Sequence, residues 1–383
     1  MRLGFGAWGL GGSVLNTGVG EYSRQLLTHL PELDPDLELF AYTGPDDPRP
    51  EWLPEVVAWR PLAAPLPRRY RAMYAHLVSL PILARQDRLD VFHMPAIHVR
   101  PSFPCVPRLR CPVVVTVHDL IPIAYYGAQL PQRLRRFYRW NLDRALGAQM
   151  MIAVSEHARN ELLHDAPAAA ERIHVVLNAV DFAPNPALQP LDRMGVRRPY
   201  ILYAGSYEPR KNLHGALAAY ARLLQLGVQV EFVALVERES GYRAEVLQAA
   251  ARLGVADRVR WLHSLTDPDV RALYTHAQTL FFPSLAEGFG YPPVQAAACG
   301  VPVVASDIPV LHEVLDRAAY FVDPLNVEEM AAGLQRVLAD ADLRNRMATD
   351  GRARAAGFKL TGLLQGHHDV YRAAAGSRLA VAC

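Results

Sequence analysis

Short apolar runs alternate along the chain with longer runs whose apolar residues recur at helical spacing. The apolar runs are rich in β-branched and aromatic residues, which is typical of buried strands. The longer runs fit helices; between residues 21 and 30, for example, Tyr22, Leu26 and Leu30 would share one face. Such alternation predicts an α/β fold with doubly wound parallel sheets. The predicted strands span residues 3–8, 37–42, 90–93, 112–119, 149–154, 173–181, 200–204, 229–236, 258–262, 279–282, 303–305 and 320–322.

Length and periodicity together predict two domains, because 383 residues exceed the usual size of one. Residues 184–199 are proline-rich and lack periodicity, so we expect a linker and hinge there, between a first domain over 1–183 and a second over 200–358. Residues 44–70 and 94–111 are also proline-rich and predict irregular structure. Carboxyl-terminal helices are predicted at 327–338, 342–356 and 360–375.

Composition narrows the class of protein. Apolar residues make up 51% of the chain, enough for sizeable cores, and the formal net charge of +2 implies no nucleic-acid partner. No cysteine pair has C-x-x-C or zinc-site spacing, so we expect a reduced, cytoplasmic setting and no metal. The amino terminus enters a glycine-rich loop too early for a signal peptide, and no apolar run approaches about 18 residues. The cysteines are Cys105, Cys111, Cys299 and Cys383.

One stretch, residues 279–300, carries the clearest candidate chemistry. An apolar run ends at Pro283, a turn follows around Gly288 and Gly290, and good helix formers continue to Gly300. A strand, a glycine turn and a helix amino terminus offer N–H groups and partial positive charge to an anion. Glu287 in the turn and Gln295 in the helix could bracket one ligand, since a carboxylate accepts hydrogen bonds from sugar hydroxyls.

This stretch resembles the signature of glycosyltransferase family 4, retaining nucleotide-sugar transferases with the GT-B fold. The family carries two glutamates separated by seven residues around E-G-F-G-x-P; here the first is Glu287, and Gln295 replaces the second. The resemblance implies two Rossmann-like domains facing across a cleft, with residues 359–383 crossing back to the first domain. It implies that Glu287 contacts the donor sugar and that Gln295, through weaker uncharged hydrogen bonds, contacts the ribose. Amides that would hold the sugar are those of Gly288, Phe289, Gly290 and Tyr291.

Two adjacent cations, Arg210 and Lys211, follow the predicted strand 200–204 and a turn containing Gly205. Arginine can clamp phosphate oxygens in pairs and lysine adds a point charge, so the pair suits a diphosphate. A solvated surface pair is the plainer interpretation. In this position the pair matches the phosphate-binding residues of the family, and we favour that function.

The first domain supplies two further candidates. His118 ends the β-branched run 112–119, where ligands of open parallel sheets bind, and the family places a histidine here near the donor sugar. A histidine satisfied within the core is the alternative. Gly18 and Gly20, before the first helix, fit the family's first-domain loop, whose amides face the diphosphate or the acceptor; a flexible connector is the alternative.

A basic, partly apolar helix is predicted over residues 132–150. The simpler interpretation of its charge is a solvated helix face. The more specific interpretation is contact with an anionic membrane or a lipid-phosphate acceptor. The second would place the protein peripherally at the inner face of the membrane. The arginines are Arg133, Arg135, Arg136, Arg139 and Arg144.

The resemblance implies transfer of a hexose with retention of anomeric configuration, without metal or other cofactor, from a nucleoside-diphosphate sugar to a glycan or lipid-linked acceptor. The V-T-V-H-D-L and E-P-R-K-N-L stretches are most similar to the mannosyltransferase branch, which favours GDP-mannose. A UDP-hexose donor and a non-catalytic binding relative remain alternatives. A dinucleotide-dependent oxidoreductase is disfavoured, because the G-x-G-x-x-G at Gly4, Gly6 and Gly9 follows too little strand.

Overall fold

The chain forms two compact parallel-sheet units. The computed structural model describes residues 1–10, 17–97, 107, 109–236 and 241–377. Unit 1 comprises Met1–Ala179 with Leu360–Cys383, and unit 2 comprises Val180–Lys359.

Unit 1 is built on a parallel sheet of seven strands among the described residues, in the order β3-β2-β1-β4-β5-β6-β7. Its strands are β1 (Arg2–Gly6), β2 (Glu38–Thr43), β3 (Ala58–Pro61), β4 (Val91–Met94), β5 (Val113–Val117), β6 (Met150–Ala153) and β7 (Ile173–Val175). Its first helices are α1 (Gly18–Leu33), α2 (Arg68–Tyr74), α3 (Leu80–Gln86), α4 (Ile121–Ala124), α5 (Gln132–Leu146) and α6 (Glu156–Asp165), with a π turn at Ala75–Ser79 between α2 and α3.

Unit 2 repeats the same plan with a six-stranded parallel sheet, counted over the described residues, in the order β10-β9-β8-β11-β12-β13. Its strands are β8 (Tyr200–Gly205), β9 (Glu231–Val236), β10 (Val259–Leu262), β11 (Thr279–Phe282), β12 (Val303–Ser306) and β13 (Ala319–Val322). Its helices are α7 (Gln189–Met194), α8 (Leu213–Gln225), α9 (Arg243–Arg252), α10 (Asp267–His276), α11 (Tyr291–Ala298), α12 (Pro309–Leu315), α13 (Val327–Ala339) and α14 (Ala341–Ala355).

The sheets explain why the strands read as apolar runs. Every residue of β5 is buried, and so is every residue of β11, because helices cover both faces of a parallel sheet. The strand order reverses direction between β1 and β4 in unit 1 and between β8 and β11 in unit 2. At such switch points a crevice opens beyond the carboxyl ends of the strands.

The last helix, α15 (Leu360–Ser377), belongs to unit 1 although it follows the whole of unit 2 in sequence. Its apolar side chains, including Leu364 and Tyr371, join the core that holds Leu26 of α1. His368 of α15 also lies 2.8 Å from Asp34, just after α1. Apolar burial and this polar contact together fix the helix on unit 1.

Two segments predicted to be irregular are ordered instead. Residues 44–70 contain β3, whose backbone pairs in parallel with β2 at the edge of the sheet, and α2 begins at Arg68. Residues 184–199 contain α7, which has Pro190 in its first turn and ends at Met194, with Gly195 as its cap in the left-handed conformation. Proline at a helix start and glycine at its end are helix signals that the overall proline content concealed.

The basic helix predicted over 132–150 is shorter than expected. It ends at Leu146, with Gly147 as its cap, because the chain then turns towards β6, and the Gln149 amide donates to the Val113 carbonyl just before that strand begins. Cys105 and Cys383, and most of the predicted irregular segment 94–111, lie outside the described residues. Within the described part of the chain, no helix has the length and apolar character needed to cross a bilayer.

Candidate functional site

The candidate site of unit 2 lies at its topological switch point. Strands β8 and β11 are neighbours, with Thr279 opposite Ile201, so the segments that follow them leave the sheet side by side. The amide of Leu285, after β11, donates to the carbonyl of Arg210, after β8, at 2.7 Å. Segments far apart in sequence are therefore joined at the edge where ligands of such sheets bind.

The segment after β8 is a tight turn that presents two cations. Residues Pro209–Lys211 form one turn of 3₁₀ helix, and Asn212 follows at φ +52° in the left-handed region. The Asn212 side chain accepts from the Gly215 amide at 3.2 Å and donates to the Pro324 carbonyl at 2.7 Å, so it both caps α8 and fixes the turn. Asparagine tolerates this backbone conformation better than most residues.

Gly205 and Tyr203, both in β8, pack against the turn that carries the two cations. The Tyr203 hydroxyl is buried and donates to the carbonyl of Lys211 at 3.1 Å. A Cβ atom on Gly205 would lie 2.9 Å from that hydroxyl, so a side chain there would push the ring away. Gly205 therefore serves the packing of the turn as well as any approach of a ligand.

The segment after β11 carries Glu287 and leads into α11. Pro283 ends the strand as expected, and the helix begins at Tyr291 after Gly290, which has φ +95°. That value explains why a glycine stands at the helix start. Pro292 and Pro293 occupy the first turn but have no N–H, so amide donors at this helix end come from Gly290 and Tyr291. The helix terminus is thus a poorer amide donor than the sequence pattern predicted.

Glu287, Lys211 and Arg210 form one ion cluster. Lys211 Nζ donates to Glu287 Oε1 at 2.5 Å, and Arg210 Nη1 lies 3.3 Å from Glu287 Oε2. Arg210 also pairs with Glu208 at 2.8 Å. The side chains of Glu287 and Lys211 are only 7% and 12% exposed, so their interaction is weakly screened. Two carboxylates and two cations leave the cluster with no formal net charge.

The pKa shifts in this cluster indicate which of its charged side chains a further anion would keep in the charged form. Burial opposes ionisation of Glu287, but the charges of Lys211 and Arg210 and a hydrogen bond from Ser284 outweigh it and hold the pKa of the carboxyl below its usual range. Burial lowers the pKa of the Lys211 ammonium; Glu287 opposes this shift and Arg210 adds to it. A further negative group beside Lys211 would favour its protonated form.

Two other predicted site residues take different positions. The Phe289 side chain is buried and packs edge-to-face against Tyr291 and Phe358, so only its backbone can meet a ligand. Gln295 lies in the second turn of α11 and is partly exposed.

In unit 1, Gly18 and Gly20 lie within the first turn of α1 rather than in the loop that the sequence predicted. The Thr17 hydroxyl caps this helix by accepting from the Gly20 amide at 3.0 Å. That amide is therefore already engaged, because an N-cap side chain satisfies one of the free donors of the first turn.

His118 follows β5 and is held by two contacts. Its Nε2 lies 2.9 Å from the carbonyl of Pro95, and the Tyr22 ring stands edge-on to the imidazole at 4.8 Å. Burial lowers the pKa of His118 to about 4, with the Pro95 hydrogen bond opposing the shift. A neutral ring that donates from Nε2 to a carbonyl leaves Nδ1 as an acceptor.

Sequence reasoning missed the residues that position the cations. Asn212, directly before a helical run, had an N-cap signal that could have been noticed. Glu208, Tyr203 and Ser284 gave no such signal, since their contacts depend on how the two segments meet.

The sheet order of both units and the cluster beyond β8 and β11 define a protein of the GT-B class, with two Rossmann-like parallel-sheet units. The model of Glycosyltransferase Family 4 matches residues 16–184, and that of Glycosyl transferases group 1 matches residues 194–354. The chain belongs to glycosyltransferase family 4.

Individual relatives agree with this assignment. O-antigen chain mannosyltransferase B of Escherichia coli is 32% identical over 64% of this chain and 66% of its own length, so the match spans just under two thirds of that relative. The MMP alpha-(1->4)-mannosyltransferase of Mycolicibacterium hassiacum is 28% identical over 88% of this chain and 90% of its own.

Solved structures share the fold. A sucrose-phosphate synthase from Thermosynechococcus elongatus superposes with a TM-score of 0.78 at 19% identity, covering 97% of this chain and 98% of that one. HepE of Anabaena in complex with UDP and glucose superposes with a TM-score of 0.74 at 20% identity, covering 97% and 100%.

Proposed function

We propose that the protein is a retaining, metal-independent mannosyltransferase that uses GDP-mannose and acts on a glycan or glycolipid acceptor in polysaccharide synthesis. The observation that carries this proposal is the largely buried cluster of the Glu287, Lys211 and Arg210 side chains at the switch point of unit 2. The mannosyltransferase relatives support the choice of sugar, and the family resemblance supports the donor and the stereochemistry.

The chemistry follows from the charges. A departing nucleoside diphosphate gains negative charge, which Arg210 and Lys211 would stabilise, and the shift in the Lys211 pKa makes an incoming phosphate a favourable partner. We propose that Glu287 then accepts hydrogen bonds from sugar hydroxyls in addition to its contacts with the cations. The amides of Gly288, Phe289, Gly290 and Tyr291 would contribute to sugar binding, with a contact from His118, and Gln295 would contact the ribose.

The donor is tested first by binding and then by transfer. Calorimetric titration with GDP, UDP and NAD, followed by GDP-mannose and UDP-glucose transfer assays, should show binding of GDP and transfer of mannose. Binding of UDP with glucose transfer would replace the donor assignment by the UDP-hexose alternative, the pair seen with HepE. Nucleotide binding without turnover would indicate a non-catalytic relative, and NAD binding alone an oxidoreductase.

The position of the diphosphate has a separate test, because Lys211 and Lys359 are the two lysines of the chain. Acylation with an amine reagent, followed by peptide mass spectrometry, should show that GDP-mannose protects Lys211 and leaves exposed Lys359 unprotected. Equal labelling of Lys211 with and without the nucleotide would contradict the proposed diphosphate site.

Stereochemistry and metal independence are equally direct to test. The anomeric signal of the first product formed should show the α configuration of the donor, and turnover should persist with excess chelator. An inverted product or loss of turnover on chelation would overturn that part of the proposal.

We further propose that unit 1 meets an anionic lipid surface through a face that we call the apolar-basic face. It carries the exposed side chains of Tyr70, Met73, Leu77 and Ile82 along α2 to α3, and of Trp140 on α5. The π turn, α3 and α5 contribute side chains to one core cluster, and Arg144 on α5 is close enough to His76 in the π turn to add to the effect of burial, which lowers the His76 pKa to about 4. Exposed apolar side chains beside cations suit a membrane interface.

Only part of the basic charge predicted on α5 is available to such a surface. Arg139 is held by Asp143 at 3.3 Å and Asp165 at 3.0 Å. Arg133, Arg135 and Arg136 are exposed and make no ion pair with any described residue. These three side chains could contact lipid phosphates without breaking an existing pair.

Vesicle co-sedimentation tests the apolar-basic face. Binding should require anionic phosphatidylglycerol, weaken when Arg133, Arg135 and Arg136 are all changed to glutamine, and weaken with Leu77→Asp. Leu325→Asp, at an exposed apolar position of unit 2, is the matched control and should bind normally. Equal binding to neutral vesicles, or none to either, would refute the proposal.

A further inference from the structure

A row of five buried, hydrogen-bonded polar side chains crosses unit 1. The sequence did not predict this row. The Tyr371 hydroxyl lies 2.8 Å from His93 Nδ1, and His93 Nε2 lies 2.8 Å from Thr116 Oγ1. Thr116 Oγ1 is 2.6 Å from the Tyr22 hydroxyl, which is 2.5 Å from His367 Nε2. All five side chains are fully buried. The row connects α15, β4, β5 and α1.

The end of the row at α15 fixes the first proton. His367 Nδ1 lies 2.7 Å from the Leu363 carbonyl, which can only accept, so Nδ1 carries hydrogen. Burial lowers the pKa of His367 to about 4, so the ring is neutral and Nε2 is an acceptor. The Tyr22 hydroxyl must therefore donate to His367.

The remaining directions follow one from another. Because the Tyr22 hydroxyl already donates its hydrogen to His367, its oxygen accepts a hydrogen bond from Thr116. The Thr116 hydroxyl in turn accepts from His93 Nε2. Burial and the neighbouring histidines lower the pKa of His93 well below its usual value, so His93 Nδ1 accepts from Tyr371. Each of these groups is satisfied, and every member is neutral. Reversing any single bond would leave two buried donors or two buried acceptors facing each other, which is costly.

Tyr22 also contacts His118, a predicted site residue of unit 1. Its ring stands edge-on to the His118 imidazole at 4.8 Å with an interplanar angle of 88°. It also lies two residues beyond Gly20, in the capped first turns of α1. The hydroxyl bonds fix the ring at one end, and the ring packs edge-on against His118.

We propose that Tyr22 is a positioning residue for His118, and that its own position is set from the last helix through the hydrogen bonds of Thr116 and His367. The inference rests on the proposed function for its kinetic test but not for its structural test. A ring with an unsatisfied hydroxyl end could tilt, and a small displacement of His118 would reduce turnover by much more than it reduces binding.

The structural test observes His118 directly. In protein labelled with isotopic histidine, the His118 imidazole resonances are assigned by their loss in His118→Ala. Tyr22→Phe keeps the ring and removes the hydroxyl, and it should shift the His118 resonances. Thr116→Val, which removes the same hydrogen bond from the other side, should shift them in the same direction.

The kinetic test asks whether Tyr22 acts through His118. Tyr22→Phe should lower kcat about tenfold with little change in the KM for the donor. In the His118→Ala background the same change should have no further effect on kcat, since residues that act as a unit are not additive.

Tyr42→Phe is the matched control. Tyr42 is also fully buried in unit 1, and its hydroxyl donates to Asp87 at 2.6 Å. Its loss should lower the Tm without shifting the His118 resonances or changing kcat. His368→Gln weakens the attachment of α15 at Asp34 while leaving the row intact, and it should behave as Tyr42→Phe does.

Three outcomes separate the possibilities. Unshifted His118 resonances in Tyr22→Phe would overturn the inference, whatever happens to the Tm. A tenfold loss of kcat that persists in the His118→Ala background would also overturn it, because Tyr22 would then act by another route. If the wild-type protein transfers no sugar, the proposed function fails, and the resonance shifts still decide the inference about Tyr22.

Discussion

Lys211 combines features that few lysines have: its side chain is only 12% exposed, it pairs with Glu287, and its Nζ lies 5.2 Å from the centre of the Phe282 ring. Such a cation interacts strongly with nearby charge because little water screens it. Its role therefore depends on a handful of neighbours, each of which can be changed singly.

We expect Lys211→Ala to lower kcat by roughly 30- to 10³-fold, because removing a cation from developing charge costs about 2–4 kcal/mol of transition-state stabilisation. The measurement is turnover with GDP-mannose at saturating donor. Lys359→Ala, at the exposed second lysine, is the control and should retain full turnover. Unchanged turnover in Lys211→Ala would refute the leaving-group role.

We expect Gln295→Glu to tighten nucleotide binding several-fold, since a carboxylate accepts stronger hydrogen bonds from two ribose hydroxyls than an amide does. The dissociation constant for GDP, measured by calorimetry, checks this, with Gln295→Leu as the variant that should weaken binding. A larger dissociation constant for Gln295→Glu would mean that Gln295 does not contact the ribose.

Among the elements, the turn between β8 and α8 depends most on one local interaction. The Asn212 side chain caps α8, and its backbone adopts a left-handed conformation between the cations and the helix. The cap and the conformation make separate contributions to stability, so they can be separated by two substitutions at the same position.

Asn212→Ala should destabilise unit 2 by about 2 kcal/mol, because it loses the cap and because alanine tolerates the left-handed region less well than asparagine does. Asn212→Gly loses the cap but relieves the backbone, so its cost should be only a few tenths of a kcal/mol. Urea unfolding of both variants, followed by circular dichroism, gives the comparison. Equal losses would show that the backbone conformation contributes nothing.

The helices α7 and α5 show how well local sequence signals predict where a helix begins and ends. Signals for α7 are present in Pro190 and Gly195, but the surrounding prolines masked them. The early end of α5 has a local signal in Gly147, and the hydrogen bond from Gln149 to Val113 then ties the following residues to the neighbouring strand. The strand and helix around Glu287, by contrast, are confirmed as predicted, because proline and glycine mark both boundaries.

Considered as a whole, the molecule places its most acid-sensitive groups in unit 1. Burial lowers the pKa of His367 to about 4 and that of His93 well below its usual value. In the unfolded chain both would titrate near 6.5. Between these values the unfolded state binds more protons, so stability is full above about pH 6.5 and falls as the pH drops.

We expect unit 1 to lose roughly 3 kcal/mol of stability per buried imidazole between about pH 6.5 and pH 4. Urea unfolding at several pH values, followed by tryptophan fluorescence, measures this, because four of the five tryptophans, Trp8, Trp52, Trp59 and Trp140, are in unit 1. In His367→Gln, the slope of the unfolding free energy against pH should fall by the equivalent of about one proton. An identical slope in that variant would show that His367 remains protonated in the folded protein.

The sequence by itself determined the alternation of strands and helices, the two-unit plan and the glycine turn at Glu287. It could do so because side-chain periodicity and turn chemistry are local properties. Only the tertiary structure joined Lys211 to Glu287, 76 residues apart, and Tyr22 to His367, 345 residues apart. Those pairs depend on which strands become neighbours and where the last helix packs, and no local pattern of residues encodes either.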